Sequence, residues 1–327
     1  MRAAASAAAL LAVLASALPR ATGELVLVRS IALPHVEGRI DHLAFDGARE
    51  RLFVAALGNN TVEVIDTAAG THLKSLAGFH EPQGIAVAAD FDILAVANGD
   101  GDGIQFVKTG DLTSGASVRL GDDSDNVRYD ASAKRLYVGY GQGAIAAIDP
   151  GSGKVLGEAK LAAHPESFQL ERAGTRIFVN VPNARQLAVV DRSSMTVTAT
   201  WPISSAASNF PMALDETNHR LFVGCRHPAK VLVFDTATGK EITSADIVGD
   251  ADDLFYDAAT KRLLVSGGEG YLDVLQDQGD NHFTRVARTP TASGARTSLY
   301  VADRRRLYLA VPHRGAQQTE IRVYDVR

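Results

Sequence analysis

Residues 130–149 read DASAKRLYVGYGQGAIAAID, a short apolar run, a glycine-rich turn and a second apolar run in succession. Valine and tyrosine in the first run favour a β-strand, and the turn at Gly139–Gly143 predicts that the two runs pair as a hairpin. Asp149 ends the second run. The stretch therefore predicts two antiparallel strands joined by a tight turn.

The same pattern occurs seven times along the chain. The residues equivalent to Leu136 follow one another at intervals of 42, 42, 41, 44, 42 and 44, and we call them the anchors: Leu52, Leu94, Leu136, Ile177, Leu221, Leu263 and Leu307. Repeats of roughly 40–45 residues with β-patterning are typical of propeller blades. The last repeat stops after its third strand, whereas the alternating segment at residues 25–33 belongs to no repeat. We therefore predict an all-β, seven-bladed β-propeller of four-stranded antiparallel blades, its ring closed by an N-terminal strand that completes the last blade.

The beginning of the chain differs from the repeats. Arg2 precedes an apolar run from Ala3 to Leu18, and small residues follow it. This order is typical of a secretory signal peptide, and the run is shorter than the roughly 20 residues that a membrane span needs. We assign residues 1–23 to a signal peptide and residues 24–327 to a single propeller domain, although cleavage after Ala17 stays open. We expect an exported protein, periplasmic or secreted, with no membrane span after cleavage.

Composition limits the classes of partner. The chain of 327 residues is 46% hydrophobic, which is enough for a large core. Its net charge of −5 argues against a nucleic-acid partner. Cys225 is the only cysteine, so no intrachain disulfide forms, and we expect a small packed residue there. We expect a monomer.

Several segments resemble a known family. The sequences AVAN at 95–98, YVGY at 137–140 and FVNV at 178–181 are similar to the Tyr-Val-Thr-Asn strand of YVTN-repeat proteins, as is DTATGK at 235–240. The resemblance covers nearly the whole mature chain and implies a seven-bladed propeller like those of the YncE-like exported bacterial proteins. It implies no particular activity. Nucleic-acid binding is known among YncE-like relatives, but the acidic charge argues against it here.

Polar residues are concentrated where the innermost strands begin. Counting eleven positions back from each anchor gives the ring positions, of which four of seven are carboxylates: Asp41, Gln83, Asp125, Glu166, Phe210, Asp252 and Arg296. The following position adds His42, Asn126 and Asp253, and a loop on the same face adds His313. We expect these residues to surround one mouth of the central channel. The candidate ligand-binding residues are Asp41, His42, Asp125, Asn126, Glu166, Asp252, Asp253, Arg296 and His313.

Two interpretations of this ring stay open. Carboxylates held together in a narrow opening repel, which raises their pKa values or favours a bound cation. Oxygen ligands suit calcium or magnesium, and added histidine admits zinc or manganese. The candidate metal ligands are Asp125, Asn126, Glu166 and Asp252. Alternatively, the carboxylates form a solvated ring that pairs with arginines: Arg39, Arg226, Arg296 and Arg314. No compact metal motif is present to support the first interpretation.

The leading functional hypothesis is a binding or scaffold protein that engages a small molecule or a protein partner at the polar mouth. The alternative is a metal-dependent hydrolase of the lactonase type. Propellers of the gluconolactonase group coordinate a divalent ion through Glu, Asn and Asp, and Glu166, Asn126 and Asp252 offer the same residue types. In that scheme Asp41 would act as the base. The analogy is one of fold alone.

Overall fold

The seven repeats form seven four-stranded antiparallel sheets in the computed structural model, which describes residues 25–101 and 103–327. The predicted signal peptide lies outside these residues. Every anchor occupies the second position of the second strand of its blade and is at most 1% exposed. No helix in this part of the chain is long and apolar enough to cross a membrane.

The strands follow one another in a regular order. β1 (Leu25–Ala32) is the first strand of the described residues, and it joins the last blade. Blade 1 contains β2 (Leu43–Asp46), β3 (Arg51–Ala56), β4 (Thr61–Asp66) and β5 (Thr71–Ala77). Blade 2 contains β6 (Pro82–Ala88), β7 (Ile93–Asn98), β8 (Ile104–Lys108) and β9 (Ser114–Val118). Blade 3 contains β10 (Ser124–Asp130), β11 (Arg135–Tyr140), β12 (Ala144–Ile148) and β13 (Val155–Lys160).

The remaining blades repeat this arrangement. Blade 4 contains β14 (Phe168–Leu170), β15 (Arg176–Val181), β16 (Gln186–Asp191) and β17 (Thr196–Pro202). Blade 5 contains β18 (Ala207–Asp215), β19 (Arg220–His227), β20 (Ala229–Asp235) and β21 (Glu241–Asp246). Blade 6 contains β22 (Ala251–Asp257), β23 (Arg262–Gly267), β24 (Tyr271–Asp277) and β25 (Phe283–Pro290). Blade 7 contains β26 (Ser298–Val301), β27 (Arg306–Val311) and β28 (Glu320–Val326).

The first strand completes the last blade. β1 pairs antiparallel with β28 from Leu25 opposite Val326 to Ala32 opposite Glu320, with an irregularity between Leu27 and Arg29. This pairing gives blade 7 its fourth strand. The prediction of a seven-bladed ring closed by the N-terminal strand is confirmed.

The core lies between neighbouring blades. The cluster that joins blades 1 and 7, for example, contains Leu52, Val54 and Ile65 from blade 1 and Tyr308 and Ile321 from blade 7. Each blade is therefore apolar on both faces of its middle strands, as expected of a sheet packed on both sides. This packing fixes each innermost strand, and the channel residues with it, relative to its neighbours.

Local hydrogen bonds explain the aspartate that ends several third strands. Oδ1 of Asp149 accepts a hydrogen bond of 2.7 Å from the Ser152 backbone N–H, and Asp191 and Asp235 cap the equivalent turns. Aspartate is favoured at such turns because its side chain mimics a backbone acceptor. These aspartates serve the fold.

The only cysteine of the sequence, Cys225, is part of the packed core. Cys225 lies in β19 and is fully buried, as the sequence analysis expects. Burial raises the pKa of its thiol to about 12, which leaves it protonated and poorly nucleophilic at neutral pH.

Candidate functional site at the channel mouth

All seven ring positions line one cavity of about 270 Å³ at one end of the central channel. Five further residues complete this lining, which we call the channel mouth: Arg39, His42, Asp123, His164 and Arg226. The convergence follows from the repeat, because each blade presents the start of its innermost strand to the same end of the ring. Phe210 is the one apolar side chain among these twelve. The cavity is therefore suited to polar or charged groups.

Arginines neutralise one side of the mouth. Asp252 lies between Arg226 and Arg296: Arg226 Nη2 donates to Oδ1, and Arg296 Nε lies 2.9 Å from Oδ2. Arg296 Nη1 also lies 3.1 Å from Asp250 Oδ1, and the Arg226 guanidinium stacks 3.8 Å from the centre of the Phe210 ring. Asp252 is thus held by two guanidinium groups. This is the arginine pairing that the second interpretation of the ring describes.

Blade 1 repeats this pairing with a histidine beside it. Arg39 Nη2 donates to Asp41 Oδ2 at 2.9 Å, while Arg314, the fourth arginine considered, contacts Ser293 instead. His42 lies between two carboxylates, 3.8 Å from Asp41 and 3.9 Å from Asp253. Burial raises the pKa of Asp41 and, to about 7, that of Asp253. Burial alone would lower the pKa of His42, but the adjacent carboxylates raise it.

The opposite side of the mouth, on blades 3 and 4, holds a group of two carboxyls and an imidazole. One ligand atom from each of Asp125, His164 and Glu166 lies within 4.8 Å of the other two. His164 Nδ1 lies 2.7 Å from the Gly141 carbonyl oxygen and 3.2 Å from Asp123 Oδ2, and Nε2 lies 3.8 Å from Asp125 Oδ2. Because a carbonyl oxygen only accepts, Nδ1 is the donor and Nε2 faces Asp125. We call these three residues the mouth triad.

The charges of the mouth triad depend on one another. Burial and, to a smaller extent, the negative charge of Asp125 raise the pKa of Glu166 to about 9. Burial opposes the charge of His164, but its bonds to Asp125 and Gly141 raise its pKa to about 9. The pKa of Asp125 is lowered in spite of burial because His164 stabilises its anion. At neutral pH the triad therefore holds one anion, one cation and one neutral acid.

The structure separates the predicted site residues into three groups. Asp41, His42, Asp125, Glu166, Asp252 and Arg296 line the cavity. Asn126 and Asp253, which follow ring positions, lie behind it; Asn126 is 2% exposed and its Oδ1 has no hydrogen-bond partner among the described residues. His313 lies apart, where its Nδ1 is 2.7 Å from Glu37 Oε2.

Of the four candidate metal ligands, the structure brings Asp125 and Glu166 together. Asp252 pairs with Arg226 and Arg296 on the other side of the mouth. His164, which was not among the predicted metal ligands, lies with Asp125 and Glu166 instead. A signal for His164 exists in the sequence. It stands two positions before the ring position Glu166, just as Arg39 and Asp123 stand two before Asp41 and Asp125, and these three residues line the cavity.

A larger cavity, about 500 Å³, lies by the other end of the innermost strands of blades 3 and 4. The guanidinium group of Arg192, which lines this cavity, is already paired within the protein: it donates to Asp130 and to the carbonyl oxygens of Glu171 and Gly174. These contacts tie the blade-to-blade turns together. We therefore regard the smaller channel mouth as the better candidate site.

The fold and the site together define the class: a seven-bladed β-propeller with a charged channel mouth. No protein-family model matches the chain, and no curated protein does. Solved structures do resemble it. A chain of the mitotic checkpoint complex superposes with a TM-score of 0.78 at 15% identity, over 100% of this chain and 99% of that one. A chain of hydrazine synthase from Kuenenia stuttgartiensis gives 0.73 at 16% identity, over 84% and 94%. At these identities the likeness extends to the fold alone.

Proposed function

We propose that this protein is an exported, monomeric propeller of the YVTN-repeat, YncE-like type that binds a small polar solute or a charged group of a protein partner at its channel mouth. The observation that supports it best is the convergence of the seven ring positions on one cavity of about 270 Å³. Concave openings with a few convergent polar groups are the usual ligand sites of closed β structures. Protein binding by a checkpoint-complex propeller is compatible with this proposal.

The two sides of the mouth favour a ligand that carries both donors and acceptors. Arg39, Arg226 and Arg296 each keep guanidinium N–H groups beyond those that bind aspartates, and these can donate to a carboxylate or hydroxyl oxygen. Across the cavity, Asp125 and Asp123 offer acceptors to an ammonium group or a cation. Amino acids, sugar acids and the charged end of a peptide have this combination of groups.

Binding is tested by calorimetric titration of the mature protein with a panel of amino acids, sugar acids and polyamines in a chelator. We expect at least one class to bind, and Arg296→Gln to weaken it at least tenfold, since a charge-assisted hydrogen bond contributes about 1.5–3 kcal/mol. Asp280→Asn, in an exposed turn away from the mouth, serves as the matched control. Binding that is equally strong in the Arg296 variant would contradict the proposal.

The mouth triad favours a second candidate, lactone or ester hydrolysis with a divalent ion. In this scheme the ion polarises a carbonyl group and Asp41, across the cavity, acts as the base. A screen of lactones and aryl esters with and without added metal tests it. We expect Asp41→Asn to abolish any metal-dependent turnover, and turnover that survives this substitution would remove Asp41 from the scheme.

A further inference from the structure

We propose that Asp125, His164 and Glu166 bind a single divalent transition-metal ion of the zinc or manganese type. The proposal deepens the proposed function, because it assigns a ligand to one side of the same mouth and rests on that mouth being a binding site. Asp252, which the sequence analysis included among the metal ligands, takes no part in it.

The first argument is the spacing of the donor atoms. Metal bonds from imidazole nitrogen and carboxylate oxygen are about 2.0–2.2 Å long, so tetrahedral ligand atoms lie about 3.4 Å apart. The three atoms of the mouth triad lie within 4.8 Å of one another. Shifts of about 1 Å, which side-chain rotation supplies, bring them to bonding distance. Asp125 lies at the start of β10 and Glu166 two residues before β14, so the neighbouring blades 3 and 4 hold the ligands.

The second argument is the orientation of His164. Its Nδ1–H donates to the Gly141 carbonyl at 2.7 Å, a contact outside the triad, and this bond directs Nε2 towards Asp125. Metal-binding histidines are nearly always held by such a bond from the other ring nitrogen, which fixes the tautomer and strengthens the ligand.

The third argument concerns polar atoms that lack partners. Within residues 25–101 and 103–327 the half-buried Glu166 carboxyl faces the cavity. Behind the triad, the Asn126 amide contacts the Asp125 carboxylate, and its buried Oδ1 has no partner in the same ranges. Buried polar atoms without partners are uncommon and often mark an ion site. Asn126 Oδ1, next to the proposed ligand Asp125, is such an atom.

Charge and ligand type decide the class of metal. The two carboxylates balance a divalent charge. One imidazole nitrogen with two carboxylate oxygens suits zinc or manganese better than calcium, which takes six to eight oxygens. Three protein ligands leave a coordination position open towards the cavity, where a solute oxygen could complete the set.

Calorimetric titration of the chelator-stripped mature protein with zinc chloride, and separately with manganese chloride, tests the proposal. We expect one ion per chain for at least one metal. His164→Gln and Glu166→Gln are each expected to weaken binding at least tenfold, whereas Asp252→Asn and Asp280→Asn leave it within about twofold. Circular dichroism checks that all four variants are folded.

Two results would overturn the inference: no binding of either metal, or binding that the His164 and Glu166 variants leave unchanged. A drop in affinity confined to Asp252→Asn would likewise reject the triad. The proposed function fails separately, because its solute titration is run in chelator. If a solute binds but neither metal does, the proposed binding function stands and the metal site is rejected. If a metal binds but no solute does, the metal site stands and the proposed binding function is rejected.

Discussion

Asp253 links the stability of the propeller to pH through a single buried carboxyl. Burial raises its pKa to about 7, opposed by His42, Arg128 and the Ser298 N–H, which donates to it at 2.7 Å. The folded-state pKa lies above the unfolded value of 3.8, so the stability contribution of this group falls as pH rises from about 4 to 7. Asp253→Asn removes that titration.

We expect the melting temperature of Asp253→Asn, relative to wild type, to rise by about 10 °C between pH 4 and pH 8, because a pKa raised from 3.8 to about 7 corresponds to about 4 kcal/mol. Differential scanning fluorimetry at a series of pH values measures it. Asp280→Asn provides the baseline for an exposed aspartate. A difference that stays constant with pH would show that the Asp253 carboxyl does not titrate in this range.

Gly84 is a second residue on which the mouth depends. A Cβ at this position would lie 2.0 Å from the Asp125 carbonyl oxygen and 2.9 Å from the Asn126 Cα, both of them backbone atoms of the adjacent blade. We expect Gly84→Ala to destabilise the fold by about 1–3 kcal/mol, measured by urea unfolding. Gly47→Ala, whose Cβ would meet a Phe45 ring carbon at 3.5 Å, should stay within about 0.5 kcal/mol. Equal losses would contradict this account.

At the scale of the element, β1 determines whether the ring closes. Ile31 is 3% exposed and packs in the cluster that joins blades 1 and 7, whereas Leu27 on the same strand is 49% exposed. We expect Ile31→Ala to cost about 2–5 kcal/mol and Leu27→Ala less than about 0.5 kcal/mol. Urea unfolding of both variants compares them. Similar costs would mean that the buried face of β1 contributes little to the free energy of unfolding.

The strands could be predicted because their pattern repeats. A fixed count of eleven residues from Leu136 reached Asp125, and the same count reached a cavity-lining residue in every blade. Pairing could not be predicted in this way, since it depends on which side chains meet across blades. Asp252 meets two arginines, whereas Asp125 meets His164, and sequence spacing alone does not distinguish them. Asn126 shows most clearly what spacing cannot predict. Its backbone lies beside the ring position, as predicted, but its side chain is buried behind the mouth.

At the scale of the whole molecule, a strand other than β1 could close the ring. Leu25 lies opposite Val326, so a short glycine linker could join β1 to β28 in a chain that starts at residue 25. New ends between Asp280 and Asn281, in an exposed turn, would make β25 the closing strand of blade 6. We expect this permuted chain to fold, with a melting temperature lower by about 2–4 °C.

Circular dichroism and thermal unfolding test the permuted chain. A second permutation, opened between the fully buried Phe222 and Val223 of β19, is the control and is expected to remain unfolded. If both permuted chains fold equally well, the location of the break would not matter. If neither folds, ring closure would require the natural order of the strands.

The pairing of β1 with β28 also sets an order in time. A ribosome makes β1 before the seven repeats and β28 at the end of the seventh, so β1 has no partner until all the strands between them have been synthesised. Contacts so distant in sequence form late because a long loop must close first. Any chain that terminates before residue 320 leaves β1 unpaired and the seventh blade unfinished. The ring can therefore close only after β28 has been synthesised.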